Sequence, residues 1–134
     1  DQGAWKAIKL ADVPYRQLAG EIEVSLKEHI SDKTHWQKML KNVLAEGVDL
    51  LEEKDRMLNL VPGPLQELVS EDDTIWELKY PVIQYPEKVS SINLEKSPEV
   101  EGKLNGIKGQ YLLFDENRVI NVRKYSGYEL ELNY

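Results

Sequence analysis

Glu21, Glu23 and Glu28 fall on one stretch whose apolar residues recur every three to four positions, and His29 and His35 follow directly. Carboxylates on one helix can hold Mg²⁺, with water and a substrate phosphate completing the shell. Glu21 and Glu28 are seven apart and share nearly the same face. His29 and His35, with Glu23 or Glu28, could form a mixed imidazole–carboxylate site. Their spacing of six departs from the i, i+4 pair that zinc sites on one helix use. A solvated acidic face and two metal-free histidines therefore account for these residues more simply than a metal centre does.

A second set lies near the C-terminus. Lys103, Lys108, Arg123 and Lys124 alternate with Tyr111, Tyr125 and Tyr128. Basic residues interleaved with aromatic rings can neutralise phosphates while stacking single-stranded bases. The same residue types also serve as cross-strand packing in ordinary sheets, and that use competes directly with a binding surface. Gly102, Gly106 and Gly109 match neither a P-loop nor a dinucleotide fingerprint and read as bulges or bends of a curling sheet. No serine stands in a nucleophile-elbow context.

Two kinds of element must carry these groups. Trp5–Val13 alternates loosely as a short strand, and Asp12 and Pro14 then signal a helix start. Tyr15, Leu18/Ala19, Ile22, Leu26 and Ile30 mark one amphipathic helix. Gly20 lies inside it, at a cost of about 1 kcal/mol relative to alanine, which suggests close packing against a neighbour. Asp32 or Thr34 can cap a second helix whose buried face is Trp36, Met39/Leu40 and Val43/Leu44, with Gly47 as punctuation. A third runs through Leu51 and Leu58, its Glu52–Arg56 on the solvent side. Pro62-Gly63-Pro64 stops it, and a short helix at Leu65–Val69 follows. Beyond Thr74 the period drops to two. Strands are expected at Ile75–Tyr80, Lys88–Glu95, Glu99–Leu104, Tyr111–Asp115, Arg118–Lys124 and Tyr128–Asn133, with Val82–Tyr85 at an edge or bend. Asp115-Glu116-Asn117 is the hairpin turn.

The fold class expected is α+β: an N-terminal strand and about three helices, then a C-terminal antiparallel sheet or small β-barrel. The boundary is drawn between a mostly helical part, 1–70, and a β part, 71–134. Charge follows another division. Residues 1–42 carry seven Lys/Arg against six Asp/Glu, residues 43–102 five against fourteen, and residues 103–134 five against four. An acidic middle argues against wrapping nucleic acid all round, though the acidic region could itself form a partner or oligomer interface. The chain has no cysteine, so disulfides and thiolate metal sites are excluded and a reducing compartment fits. No apolar run reaches the roughly 20 residues of a membrane helix. The first residue is Asp1, which reads as a piece of something longer.

Three stretches, DQGAWKAIKLADV, EVSLKEHISDKTHWQKMLK and GIKGQYLLFDENRVINVRKYSGYEL, together resemble an uncharacterised bacterial family, the domain of unknown function 2797. Longer members carry a cysteine-rich, zinc-binding segment and a stretch similar to GIY-YIG nucleases upstream of the DQGA motif. That resemblance implies Glu23 as the metal-holding acid, while the tyrosines and arginine of such a site have no counterpart here. The expectation is a cytoplasmic, non-catalytic binding module for nucleic acid or a protein partner, of undetermined oligomeric state. Its binding residues would be Lys103, Lys108, Tyr111, Arg123, Lys124, Tyr125 and Tyr128. No cofactor is expected in this chain, with Mg²⁺ reserved for a longer protein. The alternative is part of a metal-dependent GIY-YIG-like nuclease completed upstream.

Overall fold

The computed structural model places its α-helices before the change of period at Thr74 and all but one of its strands after it. Residues 3–31 and 33–133 are described. The α+β class holds. The elements are β1 (Lys6–Ile8), α1 (Arg16–Leu26), α2 (Trp36–Leu40), α3 (Leu50–Leu58), β2 (Ile75–Glu77), β3 (Ser90–Ser91), β4 (Leu104–Lys108), β5 (Tyr111–Phe114) and β6 (Arg118–Asn121). Short 3₁₀ turns occupy Gly63–Leu68 and Val122–Tyr125. The strands make one two-stranded and one four-stranded open sheet, so the small barrel is not formed. Two compact units arise from alternating stretches of chain rather than from a single boundary near residue 70. One comprises Asp1–Ala4, His35–Leu44 and Lys79–Tyr134, and the other Trp5–Thr34 and Ala45–Leu78.

In the helical unit, β1 pairs antiparallel with β2, Lys6 opposite Glu77 and Ile8 opposite Ile75. Ile22 and Leu26 of α1 bury against Met57 and Val61, with Leu10, Val13, Leu65 and Val69 around them. The helical period of α1 supplies this stripe. Its start differs from expectation: Tyr15 is the N-cap without a side-chain bond, and Asp12 instead pairs with Lys9 at 3.2 Å. At α3 the cap is explicit. The Asp49 carboxylate accepts from the N–H of Leu51 at 2.8 Å and of Glu52 at 3.3 Å. Asp49→Ala is expected to cost about 1 kcal/mol, measurable as a lower urea midpoint with an unchanged slope.

The sequence reading places Lys54 on the solvent side of α3. It is 2% exposed, and its ammonium donates to Asp73 Oδ1 at 2.8 Å and to the Asp72 carbonyl at 2.9 Å. The stem is buried while the charge meets the acidic turn, a use of lysine that charge patterning cannot distinguish from solvation.

In the second unit the strand order is β3-β6-β5-β4. The β4/β5 and β5/β6 pairs are antiparallel, and β3 runs parallel to β6, which makes the sheet mixed. Gly109, at φ +56°, opens the two-residue turn between Lys108 and Tyr111. Glu116 and Asn117 both have positive φ, and the Arg118 N–H closes on the Asp115 carbonyl at 3.1 Å. That is the type I′ hairpin that suits the strand twist. Leu40 of α2 buries completely with Tyr111, Leu113 and Val119.

α2 stops five residues in, because Asn42 takes the left-handed conformation at φ 56°. The Val43 N–H then reaches the Lys38 carbonyl at 2.9 Å and the Asn42 N–H the Met39 carbonyl at 3.1 Å. This is a Schellman ending. Val43 and Leu44 are consequently exposed rather than on the buried face, and asparagine, not Gly47, is the stop. Asp32, offered as a cap, lies outside the described residues.

Two expected strands are corrected. Glu99–Lys103 stays irregular and the strand begins at Leu104, because the dense apolar pattern it pairs with, Tyr111–Phe114, sits opposite Leu104–Lys108. Tyr128–Asn133 alternates without forming a strand. Gly127 turns the chain at φ +88°, and an alternating sequence has no ladder without a neighbouring strand.

Candidate functional site

The seven residues of the basic–tyrosine cluster divide between interior and surface. Lys108 is 1% exposed. Its ammonium donates to Asn42 Oδ1 at 2.9 Å and lies 5.0 Å from the Tyr85 ring centre and 5.5 Å from that of Tyr80. A neutral amide and two ring faces thus hold the charge, with no carboxylate pairing with it among the described residues. Burial pushes its pKa down. Tyr111 is buried with its ring stacked on Trp36, centroids 5.9 Å apart and planes 3° from parallel. Tyr125 is buried as well. Its hydroxyl accepts from the Leu94 N–H at 2.9 Å and approaches the Ile92 carbonyl at 3.5 Å. These three side chains are committed to packing and cannot stack a base as they stand.

Lys103, Arg123, Lys124 and Tyr128 are exposed. Arg123 and Lys124 sit in the 3₁₀ turn after β6, which begins where Asn121 Oδ1 accepts from the Arg123 N–H at 3.1 Å. Tyr128 meets Tyr125 edge-on at 5.6 Å, and its hydroxyl donates to Glu95 at 3.3 Å. Lys103 uses its backbone N–H to hold Asp115 Oδ2 at 3.1 Å. What remains of the cluster is a small surface with acidic neighbours rather than a continuous basic face.

Glu23 lies elsewhere, on α1 in the helical unit. It is exposed and lines a groove of about 480 Å³ together with Leu10, Val13, Ile22, Leu26, Lys27 and Ile30. The volume falls in the range of ligand and side-chain docking sites. Its floor is the apolar stripe of α1 against the segment that leaves β1. Glu23 and Lys27, one helical turn apart, are its charged side chains and make no ion pair with each other among the described residues. Glu21 accepts from Gln17 at 2.9 Å, and His29 and His35 are exposed. No three His, Asp or Glu side chains converge as a metal cluster among the described residues. The donor set around Glu23 therefore does not build a cation site by itself.

The family described as protein of unknown function (DUF2797) matches residues 1–130. The chain belongs to it. No curated protein and no solved structure matches this DUF2797 chain. No helix among the described residues is long and apolar enough to cross a membrane.

Three features of this DUF2797 chain escape sequence reasoning: the groove, the Asn42–Lys108 tie and the Lys54–Asp73 pair. Only the groove had a signal, since Leu10 and Val13 close the alternating stretch Trp5–Val13 while α1 carries an apolar stripe. The carboxylates also set an acid limit. Asp72 is lowered to about 2, first by hydrogen bonding from Thr74 and then by Lys9. Asp12 is lowered by Lys9, and Asp115 by the Lys103 N–H and then Arg118. A depressed folded pKa gives stability that is present above the unfolded value of 3.8 and lost as pH falls through the folded one. Stability should therefore be flat near neutrality and decline between pH 3.8 and about 2. Urea melts across that range check it, and Asp72→Asn should flatten part of the slope.

Proposed function

We propose that the chain is a non-catalytic binding module whose groove beside α1 takes an amphipathic helix of a protein partner. The observation that carries this is the composition of the groove: an apolar floor from α1 and Leu10–Val13, with one carboxylate and one ammonium spaced a turn apart at its rim. Helix-in-groove recognition inserts side chains at i, i+3, i+4 and i+7, and a partner helix carrying Lys and Glu one turn apart would complement Lys27 and Glu23. Rim charges of this kind set orientation and association rate more than raw affinity.

The test uses a designed amphipathic peptide with leucines at those spacings and a Lys/Glu pair on its flank. Titrated into the isotope-labelled protein, it should shift the backbone amides of residues 10–13 and 19–30. Val24→Asp at the groove should weaken the shifts. Shifts spread evenly over the protein, or none, would remove the reading.

A nucleic-acid reading keeps one supporting observation, the adjacent exposed Arg123 and Lys124 beside exposed Tyr128. Single-stranded oligonucleotide affinity that weakens with salt and with Arg123→Ala/Lys124→Ala supports it. The nuclease alternative rests on Glu23 alone. It requires a longer protein that cleaves DNA with Mg²⁺ and loses cleavage on Glu23→Ala.

A further inference from the structure

We propose that the partner helix is α1 of a second copy of this chain, packed antiparallel so that Glu23 of each copy meets Lys27 of the other. This inference rests on the reading of the groove as a helix-docking site and adds the identity of the occupant. Its first support is the charge pattern. A two-fold axis at the level of Ser25 exchanges positions 23 and 27. One carboxylate and one ammonium at this spacing are therefore self-complementary, as an isologous interface requires. A parallel in-register pair of such helices brings the like charges together instead.

The second support is Gly20. It lies in the interior of α1, where glycine costs about 1 kcal/mol against alanine. No positive φ requires it there. A Cβ built at Gly20 would meet no atom within 4 Å, so no neighbour in its own copy needs the missing side chain. The same two-fold that pairs Glu23 with Lys27 brings Gly20 opposite Ile30 of the second copy. Ile30 is 44% exposed and lines the groove, and the intervening Val24 is 70% exposed. The notch at Gly20 thus receives the side chain that this copy leaves uncovered. α1 ends at Leu26, and the turn after it keeps Ile30 beside the last helical turn, because the His29 and Ile30 N–H groups both bond the Leu26 carbonyl, at 2.9 and 3.1 Å.

The contact is small. The eleven residues of α1 span about 16 Å at helical rise, and one helix face is less than the roughly 800 Å² per partner of a stable complex. The dimer therefore belongs to the weak, concentration-dependent class and forms at about 100 µM rather than at nanomolar concentration.

Sedimentation velocity on the full chain over a concentration series, up to about 1 mM, is the test. Wild type should pass from monomer to dimer. Glu23→Lys and Lys27→Glu, each placing like charges at both symmetric contacts, should weaken association about tenfold. The double exchange Glu23→Lys/Lys27→Glu should restore it. Gly20→Leu should raise the thermal stability of the monomer, through better helix propensity, while reducing dimerisation. That separates loss of the interface from loss of the fold.

A wild-type chain that stays monomeric throughout overturns the inference, as does a double exchange no better than either single variant. If the designed peptide still occupies the groove of such a monomer, the helix-docking reading stands and only the second copy falls. If neither event occurs, both fall. Self-association whose amide shifts on dilution lie outside residues 10–13 and 19–30 also overturns it.

Discussion

Replacing Lys108 with alanine is expected to cost about 3 kcal/mol, while replacement with methionine should cost less than about 1 kcal/mol. The difference follows from what the side chain does. Its stem fills space in a sheet position opposite Tyr111, and its ammonium ends against Asn42 Oδ1 and two tyrosine faces. Alanine removes the packed methylenes and leaves the Asn42 carbonyl without its donor, and both effects destabilise. Methionine keeps nearly the same length and removes a charge whose desolvation is compensated only by an amide and ring quadrupoles. Urea melts of the three proteins decide it. A methionine variant as damaged as the alanine one would show that the ammonium, not the stem, is the stabilising part.

The same residue gives a pH signature of definite sign. Its folded pKa is lowered from 10.5 by burial. Below the folded value both states hold the proton, and the cost of burying the charge is constant. Between the folded value and 10.5 the unfolded chain holds more protons, so stability from this group rises with pH. Tyr80 opposes it above 10, because burial raises its pKa and the folded state then resists ionisation. Subtracting the Lys108→Met profile from that of wild type leaves the part that depends on Lys108, its effect on the neighbouring Tyr80 included. The wild type should gain on the variant as pH rises toward 10.5.

Both lysines that the structure buries show where sequence reading ends. The existence of α1, α3 and the β5–β6 hairpin was legible because each rests on a local period or a local turn: Ile22 and Leu26, Leu51 and Leu58, Glu116 and Asn117. Lys54 and Lys108 carry the signature of solvent-facing residues, and nothing local to either announces Asp73 or Asn42 as its partner. Tyr111 and Tyr125 were legible as aromatic but not as interior. Their destination depends on Trp36 and Leu94, which lie 75 and 31 positions away. The alternation of Tyr128–Asn133 was a real period without a partner strand. In the candidate groove, Glu23 was singled out for a charge that a metal could use, whereas its geometry is that of a rim beside apolar side chains.

Gly106→Ala should be the most damaging single methyl added to the chain, at a cost of about 3 kcal/mol or more. A Cβ at this position would lie 2.6 Å from Val82 Cα and 2.7 Å from the Pro81 carbonyl oxygen. Those are backbone atoms and cannot rotate away as a side chain would. They are also bonded in place, since the Ile83 N–H donates to the Asn105 carbonyl at 2.7 Å and the Ile107 N–H to the Pro81 carbonyl at 3.0 Å. Residues 81–83 thereby cover the outer edge of β4, where the register shifts between Leu104 and Gly106. An open strand edge is a template for association with another chain, and the methyl group would act by lifting this cover. The expected result is therefore double: a lower denaturant midpoint, and faster amide exchange at Ile83 and Ile107 than at Leu113 and Val119 in the sheet interior. Equal acceleration at all four amides would mean that the substitution loosens the whole sheet rather than detaching its edge.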